Sequence, residues 1–263
     1  MPNFLNGSRS ANDCATKAAI RPPEDKYAMK NNVVIEAADV VKALGEGAGR
    51  VLALKGVTIA LAGGELTLLM GPSGSGKTTL LSVLGCLLSP TQGMVKIRGR
   101  TVTGAGAEEL ARLRRENIGF IFQSYHLFPT LMAEENVRLP LDVRGERTQA
   151  ALTKAREALA AVGLSHKLKS FPRDLSGGEQ QRVAIARAIV GDPAVVLADE
   201  PTAALDSENG MAIMSVLAGI AKEKTRAVFV VTHDPRILPF ADRIVRIEDG
   251  LLVGDQQGQA KLQ

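Results

Sequence analysis

The sequence is poor in aromatic residues. It has no tryptophan, and phenylalanine and tyrosine together make up 3% of its 263 residues. Hydrophobic residues nevertheless account for 45% of the chain and charged residues for 23%, as in an ordinary globular domain. A chain of this length can bury a sizeable core, and that core must be built from leucine, isoleucine, valine and alanine.

Cysteine is equally scarce. The two cysteines, Cys14 and Cys86, match neither the spacing of a metal site nor a disulfide framework. Cys86 lies in an apolar helical stretch, so we expect it to be a small buried hydrophobic residue. This cysteine usage fits a reducing cytosol.

Long hydrophobic runs are absent as well. No window approaches the ~18 consecutive apolar residues of a transmembrane helix. The opening residues, MPNFLNGSRSANDC, lack the apolar core of a signal peptide. We therefore expect that, if the protein acts at a membrane, a partner provides the membrane-embedded part.

A dense positive charge is also missing. The net charge is +4, and the nearest basic cluster (Arg112, Arg114 and Arg115) is short and stands beside Glu116. Nucleic-acid binding favours a longer basic stripe, so we expect no nucleic-acid partner. The charge is compatible with an anionic ligand or with a partner at a membrane surface.

The chain alternates predicted strands and helices. From Val33 onward, short apolar runs bounded by turn residues indicate buried strands, and amphipathic stretches between them indicate helices. This alternation predicts an α/β fold with a largely parallel sheet. An early β-rich part and a helical block over 130–170 are expected additions to it. Residues 1–32 are polar and proline-containing, which predicts a disordered or loosely packed tail.

One predicted helix has a well-marked apolar face. Five leucines recur there at helical spacing, namely Leu80, Leu81, Leu84, Leu87 and Leu88. The pattern predicts a helix that continues to Ser89-Pro90, because helices tend to end before proline.

A glycine-rich loop lies between a predicted strand and that helix. The stretch GPSGSGKT at 71–78 matches the phosphate-binding pattern G-x-x-x-x-G-K-S/T in full. Its glycines let successive backbone N–H groups point at phosphate oxygens, and the helix N-terminus adds its dipole. Lys77 would reach the β- and γ-phosphates, and Thr78 would offer its hydroxyl to Mg²⁺. The predicted nucleotide-binding residues of the loop are Gly71, Ser73, Gly74, Ser75, Gly76, Lys77, Thr78 and Thr79.

Two carboxylates end a second predicted strand. AVVLADE ends in Asp199 and Glu200, at the sheet edge where ligands of α/β folds collect. Asp199 would hold Mg²⁺ through water, and Glu200 would lie against the water that attacks the γ-phosphate. Without the glycine-rich loop, an ordinary acidic turn would explain the pair equally well. Gln123 in IGFIFQ and His233 in VVTHD also end predicted strands, and neither indicates a function by itself.

A second glycine-rich stretch, DLSGGEQQ at 174–181, carries no lysine. Ser176 followed three residues later by Glu179 is typical of a helix N-cap. The same unpaired N–H groups also suit a phosphate, so the residues alone leave both interpretations open.

The motifs occur in one order: GPSGSGKTT, FQ, LSGGEQQRVA, VVLADEPTAALD and VVTHD. In this order they resemble the motifs of the ATP-binding-cassette ATPases, over residues 33–254. The resemblance implies a P-loop NTPase with a mostly parallel core sheet, an antiparallel β subdomain and a helical subdomain at about 125–190. Residues 255–263 would then form a C-terminal tail.

The resemblance also implies how the site works. ATP with Mg²⁺ would be hydrolysed by in-line attack of water. Glu200 would be the general base or water-orienting carboxylate, and His233 would bond the γ-phosphate. Gln123 would touch Mg²⁺ and the attacking water, so that the implied metal ligands are Thr78, Gln123 and Asp199.

Two copies would be needed for this site. The resemblance implies a homodimer packed head to tail, in which Ser176, Gly177 and Gly178 close over the ATP held by the other copy. Asp206 would link the two sites. The lack of lysine in DLSGGEQQ is then expected, because Lys77 of the other copy supplies that charge.

The full combination of motifs indicates a narrower group within the family. It looks most like the macrolide-exporter and lipoprotein-release group and, within it, the DevA type associated with glycolipid export. Such an ATPase would be a peripheral protein at the cytoplasmic face of the inner membrane. It would drive an integral membrane transporter subunit, often with a periplasmic adaptor and an outer-membrane channel, for lipid, glycolipid, lipoprotein or drug-like cargo.

One alternative is a soluble cassette ATPase that acts on nucleic acid or ribosomes. Such proteins usually carry two cassettes or long coiled-coil insertions, and this sequence has one cassette and no heptad run. An unrelated P-loop kinase or GTPase would not explain LSGGEQQ.

The sequence departs from the family where adenine is expected to bind. Family members usually have an aromatic residue about thirty positions before the glycine-rich loop, whereas VVKALGEGAG offers Ala43 and Leu44. Loss of a stacking contact would weaken base binding by ~1–3 kcal/mol. We therefore predict weak discrimination between nucleotide bases.

Four of the nine aromatic residues cluster between 120 and 128. Phe120 and Phe122 alternate on a predicted strand, as core residues would. Tyr125 and Phe128 are expected to line a groove that, in the family, receives a short helix of the membrane subunit.

Overall fold

The computed structural model describes residues 32–223 and 226–258. Nearly all of the predicted tail at 1–32, including Cys14, therefore lies outside the described residues. The strands are β1 (Val33–Leu44), β2 (Val51–Ala62), β3 (Leu66–Met70), β4 (Gln92–Ile97), β5 (Arg100–Thr101), β6 (Ile118–Ile121), β7 (Val195–Asp199), β8 (Ala227–Thr232), β9 (Arg243–Glu248) and β10 (Leu251–Gln257).

Helices cover the strands. The α-helices are α1 (Lys77–Leu84), α2 (Ala107–Asn117), α3 (Ala133–Val143), α4 (Gln149–Ala161), α5 (Gly177–Ile189) and α6 (Ser207–Glu223). Short 3₁₀-helices lie at Gly47–Gly49, Pro172–Asp174 and Pro235–Phe240. The helices α3 and α4 lie within the block over 130–170 that was predicted to be helical, and α5 follows it.

The strands form two sheets. One has four antiparallel strands in the order β2-β1-β4-β5, and the other has six strands in the order β10-β9-β3-β8-β7-β6. In the larger sheet β9, β3, β8, β7 and β6 run parallel, and only β10 is antiparallel to its neighbour. The predicted α/β fold with a mostly parallel sheet and an antiparallel addition is confirmed.

The larger sheet is buried on both faces. Val196 and Ala198 of β7 pack with the helices α3 to α6, whereas Val195 and Leu197 of the same strand pack with β1, β2 and α1. Each fully buried side chain of this kind contributes ~1.5–3 kcal/mol to folding. Phe229 is the one fully buried aromatic residue of the described chain, so the core is aliphatic as predicted.

The helix after the glycine-rich loop is shorter than predicted. α1 ends at Leu84 and does not reach Ser89-Pro90. A Cβ atom on Gly85 would lie 2.2 Å from the ring of Phe120, so glycine is required there, and glycine disfavours a helix. Cys86 then turns the chain with a positive φ of 56°. Its side chain is 4% exposed, as the sequence predicted.

The last strand reaches into the segment predicted as a C-terminal tail. β10 continues to Gln257, so residues 255–257 belong to the sheet. The carboxylate of Asp255 accepts two hydrogen bonds from the buried guanidinium of Arg243, at 2.8 and 2.9 Å. This pairing holds the end of β10 on β9.

Candidate nucleotide site

The residues predicted to function meet at one edge of the larger sheet. Because β3, β6, β7 and β8 run parallel, their carboxyl ends lie together. A cavity of about 760 Å³ opens at this edge. The predicted residues that line it are Ser73, Gly74, Gly76, Lys77, Thr78, Thr79, Gln123, Asp199, Glu200 and His233.

The glycine-rich loop is seated so closely on other strands that two positions accept only glycine. A Cβ atom on Gly71 would lie 2.1 Å from the carbonyl oxygen of Ile247 in β9. A Cβ atom on Gly76 would lie 2.5 Å from the carbonyl oxygen of Ala53, and Gly76 has a positive φ of 102°. These contacts fix the loop before any ligand binds.

Two polar side chains of the loop fit a phosphate group. Lys77 is 9% exposed, and its ammonium group donates to the carbonyl oxygens of Gly71 (2.8 Å) and Pro72 (2.7 Å). Ser75 is 3% exposed, and its Oγ has no hydrogen-bond partner among the described residues. A buried cation, an unpartnered hydroxyl and the N-terminus of α1 together favour an anionic ligand.

A hydroxyl and a carboxylate lie side by side on the cavity wall. Thr78 Oγ1 is 3.4 Å from Asp199 Oδ1. Burial raises the pKa of Asp199, and the charge of Glu200 adds to that rise, while the bond from Thr78 and the charge of Lys77 oppose it. Hard oxygen atoms of this kind suit Mg²⁺, and a cation at this position would offset the cost of burying the Asp199 carboxylate.

The next residue, Glu200, contacts His233. Its Oε1 lies 2.7 Å from Nδ1 of His233. Glu200 adopts a left-handed backbone with φ of 48°, and its N–H group donates to the carbonyl oxygen of Val231 at 2.9 Å. A left-handed conformation costs a non-glycine residue on the order of 1–2 kcal/mol, so this backbone bond to β8 helps to hold the carboxylate beside the imidazole.

The second glycine-rich stretch forms the N-terminus of α5 and does not line this cavity. Ser176 caps the helix: its Oγ accepts from the N–H of Glu179 at 3.3 Å, and its own N–H donates to the Glu179 carboxylate at 2.8 Å. That backbone bond lowers the pKa of Glu179, and Lys167 lowers it further. Gly177 and Gly178 open α5, so these three predicted residues lie apart from the other predicted site residues.

Asp206 also lies outside the cavity lining. Its carboxylate accepts from the backbone N–H of Asn209 (2.9 Å) and from its side-chain amide (2.8 Å), at the start of α6. These hydrogen bonds lower the pKa of Asp206. The residue has the geometry of a helix cap, which holds the loop before α6.

The part of the cavity formed by the β1–β2 hairpin is apolar. Most of its residues were not predicted from the sequence. Leu44, Val51 and Leu52 line it with 40%, 64% and 48% of their surfaces exposed. Leu44 pairs with Val51 across the hairpin. Leu44 was named beside Ala43 at the predicted adenine position, and Ala43 is not among the lining residues. The register of the β1–β2 hairpin, which places Val51 beside Leu44, left no motif that could have revealed Val51 and Leu52.

A separate apolar groove of about 420 Å³ lies between β6, α3 and α5. Phe120, Phe122, His126 and Phe128 line it, and the rings of Phe120 and Phe122 stack at 5.6 Å. The predicted role of Phe128 in a groove agrees with this lining. The expectation for Tyr125 was wrong, because Tyr125 is not among the lining residues.

Tyr125 faces the start of α5 instead. A Cβ atom on Gly177 would lie 3.0 Å from the Tyr125 hydroxyl oxygen, so the phenol ring packs against the second glycine-rich stretch. Partial burial raises the pKa of Tyr125.

Comparison with known proteins decides the family. A family model described as ABC transporter matches residues 54–203. The chain belongs to the ABC transporter family. It is 43% identical over 220 residues to the uncharacterized ABC transporter ATP-binding protein MJ1508 of Methanocaldococcus jannaschii, with 84% of this chain and 98% of that protein covered.

Other family members are longer. The chain is 42% identical over 228 residues to the macrolide export ATP-binding/permease protein MacB of Salmonella choleraesuis, and covers 87% of its own length and 35% of MacB. It therefore spans about a third of the length of the MacB relatives. A dimeric structure of the ATP-binding cassette MJ0796 in a post-hydrolysis state, bound to ADP and Pi, matches with a TM-score of 0.78 at 40% identity, covering 85% of this chain and 98% of that one.

These relationships confirm the predicted family, fold and activity. The chain is the ATP-binding and ATP-hydrolysing cassette of an ABC transporter. None of the relatives named above favours a soluble ATPase acting on nucleic acid or ribosomes. Among residues 32–223 and 226–258, no helix has both the length and the apolar character that crossing a bilayer requires.

Proposed function

We propose that the cavity binds ATP with its phosphates on the glycine-rich loop, and that Glu200 prepares the attacking water. The contact between Glu200 and His233 is the observation that carries this proposal. An ionised carboxylate only accepts hydrogen bonds, so Nδ1 of His233 is the donor. His233 thus orients the Glu200 carboxylate to accept a proton from water.

His233 would also bond the γ-phosphate. Nδ1 already donates to Glu200, so a bond from Nε2 to a phosphate oxygen needs a proton on both ring nitrogens, as the imidazolium carries. Lys77, at the base of the cavity, would give up its bonds to Gly71 and Pro72 in favour of phosphate oxygens, which are the stronger acceptors.

Mg²⁺ fits beside the phosphates. Thr78 would hold it with its hydroxyl oxygen, Asp199 would hold it through a water molecule, and the exposed amide of Gln123 would add another oxygen ligand. When bound, the ion would neutralise charge that develops on the transferring phosphate. The chain's own part is to fix the Asp199 carboxylate at the wall of the cavity, beside the hydroxyl group of Thr78.

We also propose a head-to-tail homodimer as the active form. Ser176, Gly177 and Gly178 present a helix N-terminus that does not line the cavity of their own chain. An ATP molecule held by a second copy would supply the anion that this helix end favours. The dimeric cassette structures of MJ0796 support a dimer.

The transporter partner is proposed to be an integral membrane subunit that docks a short helix in the groove lined by Phe122 and Phe128. The cassette, with its helical subdomain at 125–190 and its last strand extending to Gln257, would then work at the cytoplasmic face of the inner membrane. The relationship to MacB supports an exporter. We extend the proposal to a periplasmic adaptor, an outer-membrane channel and a lipid, glycolipid, lipoprotein or drug-like cargo.

A Glu200→Gln variant tests the core of the proposal. It keeps the hydrogen-bonding shape but cannot accept the proton, so it should bind ATP, lose at least ~10²-fold in kcat and accumulate as a stable dimer with ATP. The matched control is Glu116→Gln, which removes an exposed carboxylate on α2. Hydrolysis is measured by phosphate release and the dimer by analytical ultracentrifugation. A fully active Glu200→Gln protein would remove Glu200 from its role.

A further inference from the structure

The turn that follows Gln123 has an unfavourable backbone. Tyr125 and His126 are consecutive non-glycine residues with φ of 59° and 48°. A left-handed backbone is unfavourable for a residue that carries a Cβ atom. Such a turn persists only when surrounding groups hold it in place.

One side chain of α5 holds both of these residues. The guanidinium of Arg187 donates from Nη2 to the carbonyl oxygen of Tyr125 at 2.7 Å and from Nη1 to that of His126 at 2.5 Å. The fork of Arg is rigid and planar, so two carbonyl groups can be fixed relative to each other by one residue. Burial lowers the pKa of Arg187, yet an arginine stays charged in proteins.

The turn also lies between the nucleotide cavity and the apolar groove. Gln123 lines the nucleotide cavity, and His126 lines the apolar groove and lies 4.8 Å from the ring of Phe122. Arg187 reaches the turn from the helix that begins at Ser176. The guanidinium of Arg187 therefore joins the turn after Gln123 to the helix proposed to close over the second ATP.

We propose that Arg187 is a positioning residue for ATP hydrolysis: it fixes the left-handed turn at Tyr125 and His126 and so holds Gln123 at the nucleotide cavity. The inference rests on the role proposed above for Gln123. Arg187 touches neither the cavity nor its ligands, so its effect must pass through the backbone of residues 123–126. Loss of the fork should lower the rate of hydrolysis far more than the affinity for ATP.

A double-mutant cycle separates this role from a merely structural one. The variants are Arg187→Lys, Gln123→Ala and their combination, each measured for kcat, KM for ATP and thermal unfolding. Lysine keeps the charge but is a point donor on a flexible stem, so it cannot fix two carbonyl groups as the fork does. Arg156→Lys is the control, because it makes the same exchange at an exposed arginine of α4, one bonded to Glu134 at 2.7 Å.

We expect Arg187→Lys to lower kcat about tenfold while KM changes by less than about threefold. In the Gln123→Ala background the same substitution should change kcat by less than about twofold, because residues that act as a unit are not additive. Equal effects in both backgrounds would overturn the role of Arg187 and leave that of Gln123 intact. If the Gln123→Ala variant itself had the wild-type kcat, Gln123 would have no role in hydrolysis. The proposed role of Arg187 would then fail with it.

Hydrogen exchange provides a second readout that does not depend on activity. Amides of residues 124–128 should exchange faster in Arg187→Lys than in the wild type, while those of β7 and β8 keep their protection. A variant that loosens the whole chain would show faster exchange in the core strands as well. That result, or unchanged exchange in the turn, would contradict the proposal.

Discussion

Glu200 and His233 are 33 positions apart in the sequence, and their side chains meet at 2.7 Å. The backbone of Glu200 is bonded to Val231, two residues before His233. Strand β8 thus holds both the main chain of the carboxylate and the imidazole that contacts it. The side chain of Glu200 is 15% exposed and that of His233 is 71% exposed, so the imidazole forms the solvent side of the pair.

Replacing His233 by alanine should slow hydrolysis without preventing ATP binding. The Glu200 carboxylate would lose its orienting donor, and misplacement of a catalytic group by about 1 Å can cost on the order of 10²-fold in kcat. Phosphate release and equilibrium binding of ATP would be measured side by side. His166→Ala, which removes an exposed histidine outside the cavity, should leave both unchanged. A wild-type kcat in His233→Ala would contradict the assignment.

Asp199→Asn should raise the thermal stability of the protein without Mg²⁺ and should weaken the binding of Mg²⁺. Burial raises the pKa of Asp199, so its ionised form is disfavoured in the folded state. The wild type therefore loses stability relative to Asp199→Asn as the pH rises from the ordinary carboxyl pKa of 3.8 through the higher folded value. Without Mg²⁺, the variant should unfold at a higher temperature than the wild type at pH 7, and the difference should shrink near pH 4.

The same variant should lose the stabilisation that Mg²⁺ adds to bound ATP, because a ligand stabilises a protein according to its affinity. Thermal unfolding with and without Mg²⁺ measures both effects. Asp39→Asn, at an exposed carboxylate of β1, controls for the loss of one negative charge. A wild-type response to Mg²⁺ would place the metal elsewhere.

The apolar wall formed by Leu44, Val51 and Leu52 predicts weak selection of the base. It offers van der Waals contact without ring stacking, so KM values for GTP and ATP should agree within about tenfold. Leu52→Tyr should add a stacking surface and tighten ATP binding by ~1–3 kcal/mol. The control is Leu87→Tyr, at an exposed apolar residue outside the cavity. A preference for ATP above tenfold in the wild type would show that other groups read the base.

Ser176→Arg tests whether the second glycine-rich stretch acts on another copy. The variant should bind ATP normally, since Ser176 does not line its own cavity, but it should not hydrolyse ATP. Loss of the cap costs only ~1 kcal/mol, which thermal unfolding would register. Loss of ATP binding by the monomer would contradict the cross-interface account.

A mixing experiment sharpens that test. Lys77→Ala and Ser176→Arg are each expected to be inactive alone. In a head-to-tail pair of the two variants, one site combines both defects and the other contains neither. Mixing them should therefore restore hydrolysis, up to about a quarter of the wild-type rate if subunits exchange freely and the two sites act independently. No recovery would argue against sites shared between copies.

Sequence motifs predicted that the motif residues at the nucleotide cavity would meet at one edge of the larger sheet, because each residue stands in a local motif at the end of a parallel strand; their roles in binding and hydrolysis stay predictions. Thr78 and Asp199 could be paired from the sheet rule alone. Local motifs could not predict features set by side-chain packing or by strand register. The end of α1 depends on the ring of Phe120 against Gly85, and the orientation of Tyr125 depends on Arg187. The apolar wall depends on the register that pairs Leu44 with Val51.

The packing of the glycine-rich loop against a late strand links nucleotide binding to the order in which the chain is synthesised. The loop lies in the first third of the chain, but the strand that carries it is flanked by β8 and β9, and Gly71 rests on the carbonyl group of Ile247. When the glycine-rich loop has just been synthesised, the nascent chain still lacks β8 and β9, the two neighbours of β3. We therefore expect nucleotide binding to begin only after β9 has left the ribosome, when nearly all of the cassette has been made.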